Sequence, residues 1–286
     1  MKSRFGIIPL AVLTAFVLSP SVPADTRYVL ITILHTNDLH GQVVPRDVSG
    51  GLARAATLVR RVRDQMPNVL LLDAGDIIHG TPEDYFSAGR ATISAMNAVA
   101  YQAATTGNHE YDFGLDTLKA AALFARFPFL AANVRAASGG QWDSVAPCVV
   151  FTMDGVRVAV VGLTTMQTVT LHWPGSIKDI VVEDPMSTAA NLVPQLRDES
   201  DVLVVLSHLG ADLDEELAHK VPGIDFIVGG HSHTCITDWR WVGDTLITQT
   251  GAYARLLGRI DFIVRLAQAG ARICLLYTSP SPRDRS

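Results

Sequence analysis

Short apolar runs alternate with stretches whose apolar positions recur every three or four residues, from residue 28 to residue 265. The runs 28–35, 69–73, 127–131, 148–153, 156–162, 202–207, 224–228, 239–249 and 257–265 read as β-strands. The segments 51–66, 84–100, 114–126, 186–199 and 212–220 read as helices. In the first helix Ala53, Ala56, Leu58 and Val62 supply an apolar side. Arg54, Arg60, Arg61 and Arg63 lie largely elsewhere and read as a solvated face, and Pro67 is the stop. Strands separated by helices predict α/β layering with right-handed crossovers. Asp154-Gly155 and Gly243-Asp244 read instead as hairpin turns, so the expected sheets are mixed. Coherent patterning stops after residue 265 on this reading.

The 286 residues suffice for one large α/β domain with a sizeable core. With 48% hydrophobic and 18% charged residues, the composition is that of a globular chain. A net charge of −5 argues against a surface built to bind nucleic acid non-specifically, and no nucleic acid duplex is expected as a partner. An anionic substrate stays open, because bound cations invert the local field. The cysteines, Cys148, Cys235 and Cys274, do not describe a disulfide framework; a Cys148–Cys235 bridge stays open.

The two ends read differently from the middle. Lys2 and Arg4, the apolar run 5–19 and the small-residue site Val22-Pro23-Ala24 form a signal-peptide pattern over residues 1–24, with a mature chain from Asp25. The run is short for a membrane span, so no stable membrane anchor is expected, and the expected location is secreted, periplasmic or extracellular. At the other end, residues 274–286 have no periodicity and resemble translated sequencing adapter. The expected organisation is a catalytic domain over 25–273 followed by a non-native tail over 274–286.

Chemistry concentrates where apolar runs end. Asp38 and His40 stand in HTNDLHG, Asp76 in LLLDAGD, Asn108 in TTGNHEYD, His208 in VVLSHLG, and His231 and His233 in IVGGHSH. In an extended segment residues i and i+2 point the same way, so Asp38 and His40 can reach one ion. Asp76 has two carboxylate oxygens and can serve two ions, with Gly75 before it allowing a sharp turn. Asn108 offers a neutral carbonyl oxygen, and the histidines offer nitrogens. Gly229-Gly230 reads as a tight turn ahead of His231. Oxygen and nitrogen donors without thiolate suit two divalent ions such as Zn, Mn, Fe or Co. Two such ions about 3.5–4 Å apart form a hydrolytic centre for phosphoesters. His109 adjoins Asn108 and should enter the same cleft, with Asp112 within reach of its ring.

The order D-x-H, G-D, G-N-H-E, H, G-H-x-H resembles the calcineurin-like metallophosphoesterase superfamily. ILHTNDLHG, LLLDAGDIIHGTP and GNHEYDFG are similar to the secreted bacterial 5′-nucleotidase family, which includes UDP-sugar hydrolases and 2′,3′-cyclic phosphodiesterases. The resemblance covers about residues 29 to 266, and QTGAYARLLGRID matches the family's closing strand region. It implies a layered αββα metallophosphoesterase sandwich with mixed sheets. It also implies one metal on Asp38, His40, Asp76 and His233, a second on Asp76, Asn108, His208 and His231, and a His109–Asp112 catalytic dyad. The implied activity is hydrolysis of nucleoside monophosphates or UDP-sugars to nucleoside and phosphate. The alternatives are hydrolysis of cyclic nucleotides, other phosphodiesters or a sulfur-linked group, or a non-catalytic secreted metal-binding module. In the family a C-terminal domain supplies the nucleotide pocket, and this chain is expected to lack it.

Other polar residues carry blander expectations. Glu110 reads as a buried supporting residue rather than a catalytic one. His79 reads as loop packing, His35 as support beneath the site, His172-Trp173-Pro174 as a surface loop, and His219 as part of a solvated helix face. Gly50-Gly51 lacks the G-x-G-x-x-G context of a nucleotide loop.

Overall fold

The computed structural model describes residues 26–46, 50–139, 144–171, 177–238, 240–267 and 270–278. The signal-peptide reading, His172-Trp173-Pro174 and residues 279–286 lie outside the described residues. The strands are β1 (Arg27–Thr36), β2 (Val69–Asp73), β3 (Ala103–Thr105), β4 (Phe129–Leu130), β5 (Val134–Ala136), β6 (Val145–Ala146), β7 (Cys148–Met153), β8 (Val156–Thr164), β9 (Ile180–Val182), β10 (Val202–His208), β11 (Phe226–Gly229), β12 (Arg240–Val242), β13 (Thr245–Thr248), β14 (Gly258–Ala267) and β15 (Gly270–Thr278). The helices are α1 (Gly51–Arg63), α2 (Pro82–Ser87), α3 (Arg90–Val99), α4 (Leu115–Phe124), α5 (Thr168–Leu171), α6 (Pro185–Glu199) and α7 (Ala211–Lys220), with a 3₁₀ turn at His109–Tyr111.

Two mixed sheets stack face to face. The seven-stranded sheet runs β15-β14-β1-β2-β3-β4-β6, and the six-stranded sheet runs β12-β13-β11-β10-β8-β7. From β1 to β6 the first sheet is parallel, with β14 and β15 added antiparallel. In the second sheet β8, β10, β11 and β13 are parallel, flanked by antiparallel hairpin partners. Side-chain alternation sorts each strand between two layers. Ile31 and Ile33 of β1, Leu70 and Leu72 of β2, and Val202, Val204 and Leu206 of β10 enter the core between the sheets. Leu34 and Leu71 face α1, α3 and α4, while Leu203 and Val205 face α6 and α7. The layers are therefore α, β, β, α. Each large aliphatic chain sealed between them contributes about 1.5–3 kcal/mol of burial.

The hairpins fall where the turn residues stand. Asp154 (φ 48°) and Gly155 (φ 86°) join β7 to β8, and Gly243 (φ 57°) begins the turn between β12 and β13. Three sequence expectations are corrected. The helix expected over 84–100 is two helices, because Ala88 and Gly89 adopt left-handed conformations and buried Asp84 caps the second through Thr92 N and Oγ1. The strands β3, β5, β6 and β9 were not expected; β3 is only Ala-Ala-Thr. Regular structure also continues past residue 265, since Gly270–Thr278 pairs with β14 along the sheet edge. Among the described residues no helix is long and apolar enough to cross a membrane. All three cysteines are free.

Candidate metal centre

Five parallel strands, β1, β2 and β3 of one sheet and β10 and β11 of the other, end on the same edge of the sandwich. The carboxyl ends of parallel strands are where α/β sheets present their chemistry. Asp38 and His40 follow β1, Asp76 follows β2, Asn108 follows β3, His208 ends β10, and His231 and His233 follow β11. The first loops are laced together by main-chain bonds: Asp38 N to Gly75 O, His40 N to Asp76 O, and Gly41 N to Ile77 O, each 2.9 Å. Beneath them Thr36 Oγ1 donates to Asp73 Oδ2 at 2.6 Å, and Asp73 Oδ1 accepts from Gly75 N.

These loops bend the backbone against its preference. Asp38, His40, Asp76, His79, His231 and His233 all have positive φ, between 46° and 73°. Such conformations cost non-glycine residues about 1–3 kcal/mol and persist only when the surroundings over-determine them. Gly75 (φ 90°) turns β2 as expected, and a side chain there would strike Gly107 N and His208 Nδ1. The expectation for Gly229-Gly230 is corrected: neither has positive φ, and His231 makes the turn itself. Those glycines are needed for close approach, since a Cβ would meet Asp214 Oδ2 at 2.3 Å at Gly229 and Ala74 O at 2.6 Å at Gly230.

The side chains converge in overlapping groups that His40 and Asp76 connect. One groups Asp38, His40 and His233; another groups Asp76, His208 and His231; His40, Asp76 and His109 link them. Asp76 Oδ2 lies 3.1 Å from His208 Nε2 and 3.9 Å from His40 Nε2. His233 Nε2 lies 3.3 Å from Asp38 Oδ1 and 3.1 Å from His40 Nε2. Ring tautomers follow from the opposite nitrogens. His208 Nδ1 donates to Ala74 O at 2.7 Å and His40 Nδ1 to His79 O at 3.1 Å, which leaves each Nε2 facing inward as a lone pair. His231 Nε2 sits 3.1 Å from Gln167 Oε1, and its backbone N–H donates to Asp38.

This pattern fits cations. His208 Nε2 and Asn108 Oδ1 are buried without a hydrogen-bond partner, and the lone pair on His208 faces a carboxylate oxygen. Acceptors aimed at one another in a buried site require a proton or a metal ion between them. Burial holds the rings of His40 and His231 below the usual histidine range, in the neutral form a metal requires. Between His208 and Asp76 a proton can take the cation's place: against the effect of burial, Asp76 raises His208 to about 10, and the charged ring in turn holds the Asp76 carboxyl low.

His109 stands beside this cluster, its ring 5.2 Å from that of His40. Its N–H donates to Asp76 Oδ1 at 2.9 Å, and its Nδ1 lies 2.6 Å from Asp112 Oδ2. That hydrogen bond raises His109 to about 9 against the opposing effect of burial. Glu110 is buried and accepts from Gly107 N, Asp76 N, Ile77 N and Ile78 N at 2.5 to 3.2 Å, pinning the Asp76 and Asn108 loops together. His35 is buried below, against Thr248 Oγ1. His219 is exposed on α7.

Sequence reasoning missed several contributors. Asn37 donates to Asp38 Oδ2 and Gly251 O and accepts from Thr250, tying β1 to the closing segment. Gln249 Oε1 accepts from Ser232 Oγ and Thr234 N, bracing the loop that carries His231 and His233. Tyr253 packs its ring on both His40 and His233. Only the match of QTGAYARLLGRID to the family's closing region pointed there. His79, read as loop packing, contacts Asp112.

Comparison with known proteins agrees with this geometry. The family model for calcineurin-like phosphoesterase matches residues 31–235. The chain is 34% identical over 282 residues to the trifunctional nucleotide phosphoesterase protein YfkN of Bacillus subtilis, covering 85% of this chain and 18% of that protein. It is 34% identical to protein UshA of Yersinia enterocolitica, covering 82% and 49% of the two chains. It is 36% identical to the snake venom 5′-nucleotidase of Crotalus adamanteus, covering 71% and 37%. The chain thus spans less than half the length of these relatives. Among solved structures, YfkN superposes with a TM-score of 0.79 at 28% identity, covering 88% of this chain and 90% of that one. A 5′-nucleotidase precursor from Thermus thermophilus superposes at 0.77 and 30% identity, covering 87% and 54%. On its strand-end motifs, its αββα layers and the matching family model, the chain belongs to the calcineurin-like phosphoesterase family.

Proposed function

We propose that the chain is a dinuclear-metal phosphohydrolase acting on small phosphoesters, with nucleoside monophosphates or UDP-sugars as its preferred class. The observation that carries this reading is the shared position of Asp76. Its Oδ2 faces His208 Nε2 on one side and His40 Nε2 on the other, and Asn108 Oδ1 is a buried acceptor without a hydrogen-bond partner. On this reading Asp38, His40, Asp76 and His233 hold one divalent ion, and Asp76, Asn108, His208 and His231 hold the other. Bound there, the ions supply Lewis-acid polarisation of the phosphoryl group and lower the pKa of water.

The remaining work falls to the chain's own residues. His109 Nε2 carries a proton at neutral pH, because Asp112 raises the ring to about 9. It donates that proton to the leaving oxygen as the P–O bond breaks. Asp112 keeps Nδ1 as the bonded nitrogen, so the tautomer presented to the substrate is defined. Glu110 holds the two loops in register. The names of two relatives, the trifunctional nucleotide phosphoesterase YfkN and the snake venom 5′-nucleotidase, favour nucleotide substrates, and the second favours a secreted location.

Phosphate release from AMP, with alcohol release from a model phosphodiester alongside, tests the proposal, with added Mn²⁺ or Zn²⁺, with and without chelator. Chelator-sensitive turnover of AMP is the expected result. Turnover of the diester alone would mean that the centre works and that these residues do not by themselves recognise the nucleotide. No turnover of either by metal-loaded protein would leave a metal-binding module.

A further inference from the structure

Asp112 Oδ2 receives two imidazoles. His109 Nδ1 lies 2.6 Å from it, and His79 Nδ1 is in hydrogen-bonding contact with the same oxygen. We propose that His79 is a positioning residue for His109, locking Asp112 in the one orientation that presents His109 Nε2 to the leaving group. This rests on the phosphohydrolase reading above.

His79 is built to hold still. Its φ of 67° belongs to the same set of left-handed residues as Asp38, His40, Asp76, His231 and His233. Its N–H donates at 2.7 Å to Asp84 Oδ2, and Asp84 is itself buried and bound by Thr92. Its carbonyl accepts from His40 Nδ1 at 3.1 Å, so one residue orients a ring of the metal cluster through its main chain and Asp112 through its side chain. The ring is wedged against His109 (5.2 Å, edge to face), Phe113 (5.9 Å) and Tyr85 (6.4 Å). Asp112, by contrast, sits at the end of a single 3₁₀ turn. A donor from a separate loop, His79 Nδ1, ties that carboxylate to a main chain that is itself held by Asp84. Misplacing a catalytic group by about 1 Å can cost about 10²-fold in rate.

Three substitutions separate the roles of this ring. His79→Asn keeps a donor where Nδ1 stands, His79→Phe keeps the packing without the donor, and His79→Ala keeps neither. The first readout needs neither metal nor turnover: ¹⁵N-histidine NMR of the metal-free full chain, with the His109 ring assigned by His109→Ala. The hydrogen-bonded Nδ1–H resonance of His109 is expected to persist in His79→Asn and to shift or broaden in His79→Phe and His79→Ala. The second readout is kcat on AMP against p-nitrophenyl phosphate. AMP must have its leaving oxygen protonated; p-nitrophenolate leaves without help. His79→Phe should lose about 10- to 100-fold on AMP with little change in KM, much less on the aryl ester, and His79→Asn should recover the loss. An unchanged His109 resonance in His79→Phe overturns the proposal, as does an equal loss on both esters. If wild-type protein turns over neither ester, the phosphohydrolase reading fails while the NMR comparison still decides the role of His79. If His79→Phe does not fold, His79→Gln, whose amide stands at the Nε2 position, replaces it as the variant expected to lose the resonance.

Discussion

The two sheets bring unlike chemistry to their common edge. The seven-stranded sheet delivers oxygen donors, Asp38, Asp76 and Asn108, together with His40 and the His109–Asp112 pair. The six-stranded sheet delivers only imidazoles, His208, His231 and His233. On the proposed dinuclear reading, neither edge alone is a complete donor set. Carboxylates gathered on one sheet would repel each other, and imidazoles on the other supply no negative charge to hold a cation. Stacked, each supplies what the other lacks, and Asp76 is the point where they meet, 3.1 Å from His208. The difference teaches that this centre is a property of the sheet stacking more than of any one loop.

The largest effect is expected from Asp76→Asn. The variant should lose metal at both positions and all turnover, read as metal content by atomic emission; full occupancy would show that the two halves do not depend on a shared carboxylate. His109→Ala stays within the first sheet's contribution and should lower kcat by about 10²–10⁴-fold with metal content intact. Loss of metal from this variant would mean that His109 belongs to the donor set instead. Gly162→Val strikes the stacking itself. Gly162 lies on β8 where a Cβ would meet Leu130 Cβ, C and O of β4 at 2.5 to 2.6 Å, so the larger side chain must push the sheets apart. We expect about 1–3 kcal/mol of lost stability by denaturant titration, accompanied by weaker metal binding although no donor is altered. Unchanged metal affinity in a folded, destabilised variant would detach the centre from the stacking.

The smallest expected effect is a shift along the pH axis. The hydrogen bond that His109 donates to Asp112 raises the ring to about 9, so the protonated acid is present below that pH and is lost as pH rises through it. Asp112→Asn removes the cause, and the alkaline limb of the kcat profile should move toward the ordinary histidine value of 6.5. An unmoved limb would assign the alkaline titration to another group.

Much of this arrangement was legible in the chain. Each of Asp38, Asp76, His208 and His231 follows or ends a run of apolar residues, and a polar group at that place points to the open end of a parallel sheet. Strand–helix alternation and two hairpin turns predicted α/β layering with mixed sheets, and the family resemblance implied the αββα order. Other features left no local signal. β3 is three small residues, too short for a period to register. The helix break at Ala88-Gly89 is set by where Asp84 and Ile78 lie in space. The roles of Asn37, Gln167 and Gln249 depend on partners 64 to 214 positions away in the chain, or on a neighbouring loop. His79 looked like loop packing because nothing in IIHGTP announces that Asp112, 33 residues on, will sit against its ring.

The sequence by itself determined the donor types, their order and their placement at strand ends, because side-chain chemistry and hydrophobic periodicity are local quantities. Tertiary structure alone decided which donors face one another, which nitrogen of each ring is free, and that Asp112 holds two imidazoles. Those outcomes depend on sheet register, on the close approach permitted at Gly162, Gly229 and Gly230, and on carbonyls such as Ala74 O and His79 O that choose a tautomer from across the fold.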